Sequence, residues 1–175
     1  MCKFISVDFN FSHNLFSILH YIPKIQACYC KYSKYLQDDF ANYDCDILSY
    51  IKHCSPNFWI VLDDNNQFVG FISLDNFVGN ANGLYSGEIS TCLEQEAWGS
   101  FTRCGAKIFL KKCFDELGLY KIKAQIFPDN FRVKTLLKSS GFVYESILKA
   151  ETLRNGKPQD IEVYALYRTY YYKTR

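Results

Sequence analysis

The sequence predicts a single mixed α/β domain, and three observations carry that prediction. Segments with strand-like alternation are interleaved with segments whose apolar residues recur at helical spacing. The 175 residues suit one domain with a sizeable buried core. Aromatic residues make up 18% of the chain, with 14 Tyr and 15 Phe, which excludes a disordered or low-complexity protein.

The elements follow in order. "KFISV" (Lys3–Val7) is a short strand. Ser12 can cap a helix whose Leu15, Phe16, Leu19 and Ile22 recur at helical spacing. A second helix runs from Asp39 to Cys54 with Phe40, Tyr43, Ile47, Tyr50, Ile51 and Cys54 as its stripe, and Ser55-Pro56 stops it. "NFWIVL" and "QFVGFISL" flank "DDNN" as a hairpin. A loop rich in Gly and Asn (Gly79–Gly87) leads to the strand "GEISTCL". After Trp98-Gly99 a helix reaches about Leu117, with Ala106, Phe109, Leu110, Cys113, Phe114 and Leu117 on one face and Gly118 as its cap. "YKIKAQIF" is a strand ended by Pro128. Asp129 or Asn130 caps a helix through Ser140, which Gly141 closes. Two strands end the chain, "FVYESILKAETL" and "IEVYALYR", joined by a turn at "RNGKPQD". No repeat, linker or charge block interrupts this order.

Net charge is only +2, so nucleic acid is not the default partner. The basic, aromatic tail "YRTYYYKTR" could stack on single-stranded bases, but a final strand with a frayed end is the simpler reading. No apolar run approaches a membrane span, and Lys3, Asp8 and His13 interrupt any signal-peptide core. A cytoplasmic protein with reduced thiols is therefore expected, its eight cysteines serving as small buried apolar residues. Cys28, Cys30, Cys45, His53 and Cys54 lie close in sequence, yet they form no CxxC pair and match no common zinc spacing; no metal is expected.

"GEISTCLEQEAWG", "DELGLYKIKAQIFPDN", "LLKSSGF" and "NGKPQD", in this order and spacing, resemble the GNAT superfamily of acyl-CoA N-acyltransferases over roughly Asn57 to Arg168. Within it the chain looks most like the branch that acetylates ribosomal-protein N-termini, the Rim type. The resemblance implies one GNAT-like domain over residues 1–175. Its central sheet would be mixed and mostly antiparallel, with helices on both faces and a splayed parallel strand pair, "EISTCL" and "KIKAQI". It implies acetyl-CoA as cosubstrate and a primary amine as acceptor, either a protein N-terminus or a small molecule.

Site residues follow from the same resemblance. Backbone N–H groups of Cys92 and Leu93 would bind the pantetheine arm and thioester carbonyl. The pyrophosphate would meet the loop Trp98, Gly99, Ser100, Phe101, Thr102, Arg103 and the N-terminus of the following helix. Asn130 matches the family Asn that bonds the pantetheine, and can equally serve as a helix N-cap. Glu88 is the candidate general base, with a solvated strand end as the alternative. Asp160 matches an acidic residue before the final strand, which could hold a substrate amine or cap a turn. Trp98 can instead anchor the loop, and Glu94 and Glu96 read as surface charge.

The sequence also departs from the family. Its pyrophosphate loop places small residues where Phe101 and Arg103 stand here. Val133 and Leu137 occupy positions where the family often has a Ser or Tyr to protonate the departing thiolate. The alternative to an active enzyme is a GNAT-fold protein that has lost the pyrophosphate loop and binds a partner instead.

Overall fold

A computed structural model describes residues 2–9, 18–35 and 47–173. Its strands are β1 (Lys3–Ser6), β2 (Phe58–Leu62), β3 (Phe68–Asn80), β4 (Gly83–Leu93), β5 (Lys121–Ile126), β6 (Val143–Arg154) and β7 (Lys157–Tyr167). Its helices are α1 (Ile22–Tyr32), α2 (Ile47–Cys54), α3 (Ser100–Asp115), α4 (Phe131–Ser139) and α5 (Arg168–Lys173). The strands form one sheet in the order β1-β2-β3-β4-β5-β7-β6. β4 and β5 run parallel, whereas β1–β2, β2–β3, β5–β7 and β6–β7 are antiparallel. This is the mixed, mostly antiparallel α/β sheet with one parallel pair that the sequence implies.

Contacts cluster into two compact units, Met1–Asp75 with Ser90–Phe101, and Asn76–Ile89 with Thr102–Arg175. The first unit buries one apolar cluster. α1 contributes Ile25, Cys28 and Tyr29, α2 contributes Ile47, Ile51 and Cys54, and the strands add Phe58, Ile60, Leu62, Phe71 and Cys92. The second unit buries Phe109, Leu110, Cys113 and Phe114 from α3, alternate residues Ile122, Ala124 and Ile126 of β5, and Ile161 to Leu166 of β7 apart from Glu162.

Several boundaries differ from expectation for local reasons. Ser12, Leu15, Phe16 and residues 39–46 lie outside the described residues. Leu19, expected on a buried stripe, is 45% exposed. Of the helix expected after Ser12 only Ile22 falls in α1, whose course beyond it was not expected, although Pro23 at its start and Ile25, Cys28, Tyr29 and Tyr32 at i, i+3, i+4 and i+7 are the usual signature. The expected loop Gly79–Gly87 is mostly strand. A Cβ at Gly79 would lie 2.5 Å from the Gly83 carbonyl oxygen, so glycine here permits close strand approach rather than a loop. The turn shrinks to about Asn80–Asn82, where the Asn82 N–H donates to Asn80 Oδ1 at 2.8 Å. In "RNGKPQD" only Asn155-Gly156, at φ +53 and +70, make the turn, and Pro158 already lies in β7. The tail is not a frayed strand. It becomes α5, where Tyr171 is buried and its hydroxyl donates to the Lys107 carbonyl at 3.1 Å.

Five of the described cysteines are buried, but Cys30 and Cys104 are exposed. Among the described residues no three His, Cys, Asp or Glu side chains group to hold a metal ion. Among them, too, no helix is long and apolar enough to cross a membrane.

Candidate active site

In the first unit, the end of β4 is held on three sides. Gly70 of β3 has φ +140, and a Cβ there would stand 2.2 Å from the Cys92 carbonyl oxygen and 2.7 Å from Leu93 Cα. Only glycine lets β3 come this close. The Cys92 side chain is buried against α1, its sulfur 3.6 Å from Cys28 Sγ. The facing Cys92 thiol, together with burial, pushes the Cys28 thiol far above its usual range. Such a thiol stays protonated and packs as an apolar group.

Beyond Leu93 the chain turns once through Gln95–Ala97. The Trp98 indole N–H donates back to the Leu93 carbonyl at 3.0 Å, closing the turn on itself. The last turn of α1 holds it from outside. Tyr32 accepts the Gln95 N–H at 3.0 Å, donates to the Glu94 carboxylate at 3.2 Å and places its ring 5.7 Å from Trp98. Lys31 meets the same carboxylate at 2.6 Å, and this bond raises the lysine's pKa. Glu94 is thus an anchor of the turn, whereas Glu96 is exposed as expected of a surface charge.

Gly99, at φ +94, redirects the chain into α3, whose first residue is Ser100. Ser100, Phe101, Thr102 and Arg103 therefore form the first turn of the helix expected after Trp98-Gly99, so the stretch that the resemblance assigns to the pyrophosphate loop is helical from Ser100 on. The first four N–H groups of a helix have no intrahelical partner, and the helix dipole makes that end attractive to anions. Helical side chains lean toward the N-terminus, so the half-buried Phe101 tilts toward the end at which an anion would sit. Arg103 is exposed.

In the second unit, the parallel register pairs Ser86 with Lys121, Gly87 with Ile122 and Glu88 with Lys123. Glu88 is half-buried at the last of these pairs, and its carboxylate accepts from the Gln125 side-chain amide at 3.0 Å. Gln125 sits two residues beyond Lys123 on the same face of β5. Asn130 is the N-cap of α4, accepting from the Val133 N–H at 3.4 Å. Val133 and Leu137 follow on α4, and Leu137 is buried. Asp160 lies inside β7 rather than in a turn before it. The Lys149 ammonium at 2.7 Å and the Ala150 N–H at 3.0 Å bind its carboxylate and lower its pKa. A bulge in β6 between Leu148 and Thr152, with Ala150 at φ +50, aims that N–H at it.

The structure thus groups Cys92, Leu93, Trp98 and Gly99 on one stapled turn, pairs Glu88 with Gln125, and commits Asp160 to a strand-pair contact. Sequence reasoning missed Gln125. Its signal was the period-2 pattern of "KIKAQI", which places Lys121, Lys123 and Gln125 on one partly exposed face. It also missed Lys134, which donates to the Pro128 carbonyl at 3.1 Å and pairs with Glu162 at 2.9 Å. Glu162 in turn accepts from the buried Tyr164 hydroxyl at 3.1 Å, and burial first, then this carboxylate, push Tyr164 up to about 12.

Comparison with known proteins agrees with this geometry. A family model of the acetyltransferase (GNAT) domain matches residues 31–143, more than half of the chain. The uncharacterized N-acetyltransferase YoaA of Bacillus subtilis (strain 168) is 40% identical over 53 residues, a stretch spanning 30% of this chain and 30% of that relative's length. Mutant forms of the spermidine/spermine N-acetyltransferase SpeG from Vibrio cholerae superpose with TM-score 0.63 at 26% identity, covering 74% of this chain and 80% of that one. Spermidine N-acetyltransferase from Vibrio cholerae in complex with CoA and spermine superposes with TM-score 0.69 at 20% identity, covering 98% of both chains, a likeness of fold. With the family model spanning β2 through α4 and the parallel pair in the predicted place, the chain belongs to the GNAT acetyltransferase family.

Proposed function

We propose that this protein transfers an acetyl group from acetyl-CoA to a primary amine by direct attack. The observation that carries the reading is the succession of β4, a stapled turn and the N-terminus of α3. A strand end followed by a helix N-terminus carries the kind of backbone donors that suit a thioester and a pyrophosphate, which supports the reading. Backbone N–H groups at Cys92 and Leu93 hold the thioester end and stabilise the oxyanion that forms on attack. The first-turn N–H groups of Ser100, Phe101, Thr102 and Arg103 hold the pyrophosphate, and the Arg103 guanidinium adds charge. Asn130 contributes to the pantetheine arm while capping α4. Glu88, oriented by Gln125, takes the proton that the amine must lose.

The acceptor follows from two separate likenesses. The Rim-type resemblance favours a protein N-terminus, and the SpeG neighbours favour a polyamine. Asp160 would have to release Lys149 to hold either amine. Calorimetric titration with acetyl-CoA tests the reading. A dissociation constant at or below about 100 μM, near −5.5 kcal/mol, is expected, and no binding at millimolar ligand sinks it.

The second reading, a GNAT-fold protein that binds without catalysing, is favoured by one feature of α3. Phe101 stands in the turn that must accept the phosphates. Phe101→Gly is expected to tighten acetyl-CoA binding tenfold or more, because charge-assisted bonds from freed N–H groups contribute roughly 1.5–3 kcal/mol each. Glycine in the helix costs about 0.5–1 kcal/mol of stability, which a melting curve would register. If affinity is unchanged in a folded variant, the ring does not obstruct the site. Weak binding in both proteins supports the non-catalytic reading.

A further inference from the structure

The turn that carries Asn130, in the second unit, is held more firmly than a helix cap requires. Asn130 has φ −82 and ψ 64, not the extended backbone usual at an N-cap. With the Phe131 N–H donating to the Asp129 carbonyl at 3.0 Å, Asn130 is the centre of an inverse γ-turn. The cap bond is long: Asn130 Oδ1 stands 3.4 Å from the Val133 nitrogen, beyond the usual range for an N–H donor. Among the described residues the Asn130 side-chain NH2 donates to no group. The side chain is a weak cap and an uncommitted donor.

Two cations from different elements grip the same turn. Lys134 of α4 donates to the Pro128 carbonyl at 3.1 Å and to the Glu162 carboxylate of β7 at 2.9 Å. The pair is largely buried, its side chains 19% and 15% exposed, and the Tyr164 hydroxyl fixes Glu162 from β7 at 3.1 Å. Arg154, the last residue of β6, bonds both Asp129 carboxylate oxygens at 2.9 Å. Its guanidinium lies 4.7 Å from the ring centroid of the buried Phe127. Residues 127–130 are thus tied to α4, β6 and β7. Helix stability does not account for Lys134, since a cation near a helix N-terminus opposes the dipole and the first turn of α4 has no acid to offset it. What Lys134 secures is the turn, by charge-assisted bonds of fixed direction.

We propose that Lys134, anchored by Glu162, and Arg154, through Asp129, are positioning residues for acetyl-CoA. They fix the turn so that the Asn130 NH2 meets a carbonyl of the pantetheine arm. This rests on the acetyl-CoA reading above, and adds that affinity depends on residues that do not touch the ligand.

Calorimetric titration of full-chain variants with acetyl-CoA tests the proposal. Asn130→Ala and Lys134→Met are each expected to weaken binding about tenfold. Arg154→Gln should weaken it less, about threefold, because its partner Asp129 is largely exposed. The double variant Asn130→Ala/Lys134→Met should match Asn130→Ala alone within about twofold, because Lys134 acts only through that amide. Lys134→Arg, which keeps the charge and the donors, should recover most of the affinity. A merely structural role for Lys134 would instead multiply its loss with that of Asn130→Ala. Multiplied losses, or wild-type affinity in either Asn130→Ala or Lys134→Met, overturn the proposal and leave the transferase reading standing. Absence of acetyl-CoA binding by the wild-type protein overturns both. If Lys134→Met does not fold, Arg154→Gln and its double variant with Asn130→Ala decide by the same rule.

Discussion

Glu88→Gln is expected to lower turnover on an identified amine by about 10²-fold or more at neutral pH, with acetyl-CoA affinity unchanged. The substitution keeps the side chain's size and its place at the last parallel pair, next to the Gln125 amide. What it removes is the ability to accept a proton. A primary amine with an ordinary pKa near 10.4 is only about four parts in ten thousand neutral at pH 7. An enzyme without a base must draw on that fraction. The variant's rate should therefore climb about tenfold per pH unit toward the amine pKa, and the gap to wild type should narrow as pH rises. Steady-state rates from pH 6.5 to 9.5 check both parts. A rate equal to wild type at neutral pH would take Glu88 out of the mechanism and leave it a hydrogen-bonded strand residue. A loss that is constant with pH would mean that Glu88 positions the substrate.

Gly70→Ala should be the most destabilising single methyl addition in the first unit, by about 3 kcal/mol. The new Cβ meets backbone on the neighbouring strand, the Cys92 carbonyl oxygen at 2.2 Å and Leu93 Cα at 2.7 Å, and backbone cannot rotate aside as a side chain would. Gly156→Ala supplies the control. Gly156 also has positive φ, at +70, but a Cβ there has nothing within 4 Å, so only left-handed backbone strain of roughly 1–2 kcal/mol is added. Denaturant midpoints for both variants separate the terms. Similar losses would mean that β3 yields easily and that the close approach at Cys92 is not a tight constraint. If Gly70→Ala folds, its acetyl-CoA affinity should also fall, because relief of the clash displaces Cys92 and Leu93.

The sequence by itself determined the α/β class, the strand-turn-helix passage after Glu88 and a helix N-cap at Asp129 or Asn130. These depend on signals local in the chain: period-2 alternation in "KIKAQI", the Trp-Gly before a helical stripe, and the Asp129-Asn130 pair that narrows the cap to two residues, of which the structure selects Asn130. It also showed the departures at Phe101, Arg103, Val133 and Leu137, because identity at a position is all that a departure requires. Tertiary structure decided what each local signal could not. "GNANG" reads as a loop until two backbones approach so closely that only glycine fits. Arg168 and the residues after it read as strand until Tyr171 finds a buried place and a carbonyl on α3. Asp160 reads as a turn residue until β6 bulges and presents Lys149 and Ala150 to it. Glu94 and Lys31 are 63 positions apart, and Gln125 and Glu88 are 37 apart. Side-chain chemistry is written in the sequence, but which charge, ring or backbone stands opposite is set by non-local packing. Hydrogen bonding, desolvation and steric exclusion all act on that opposite partner.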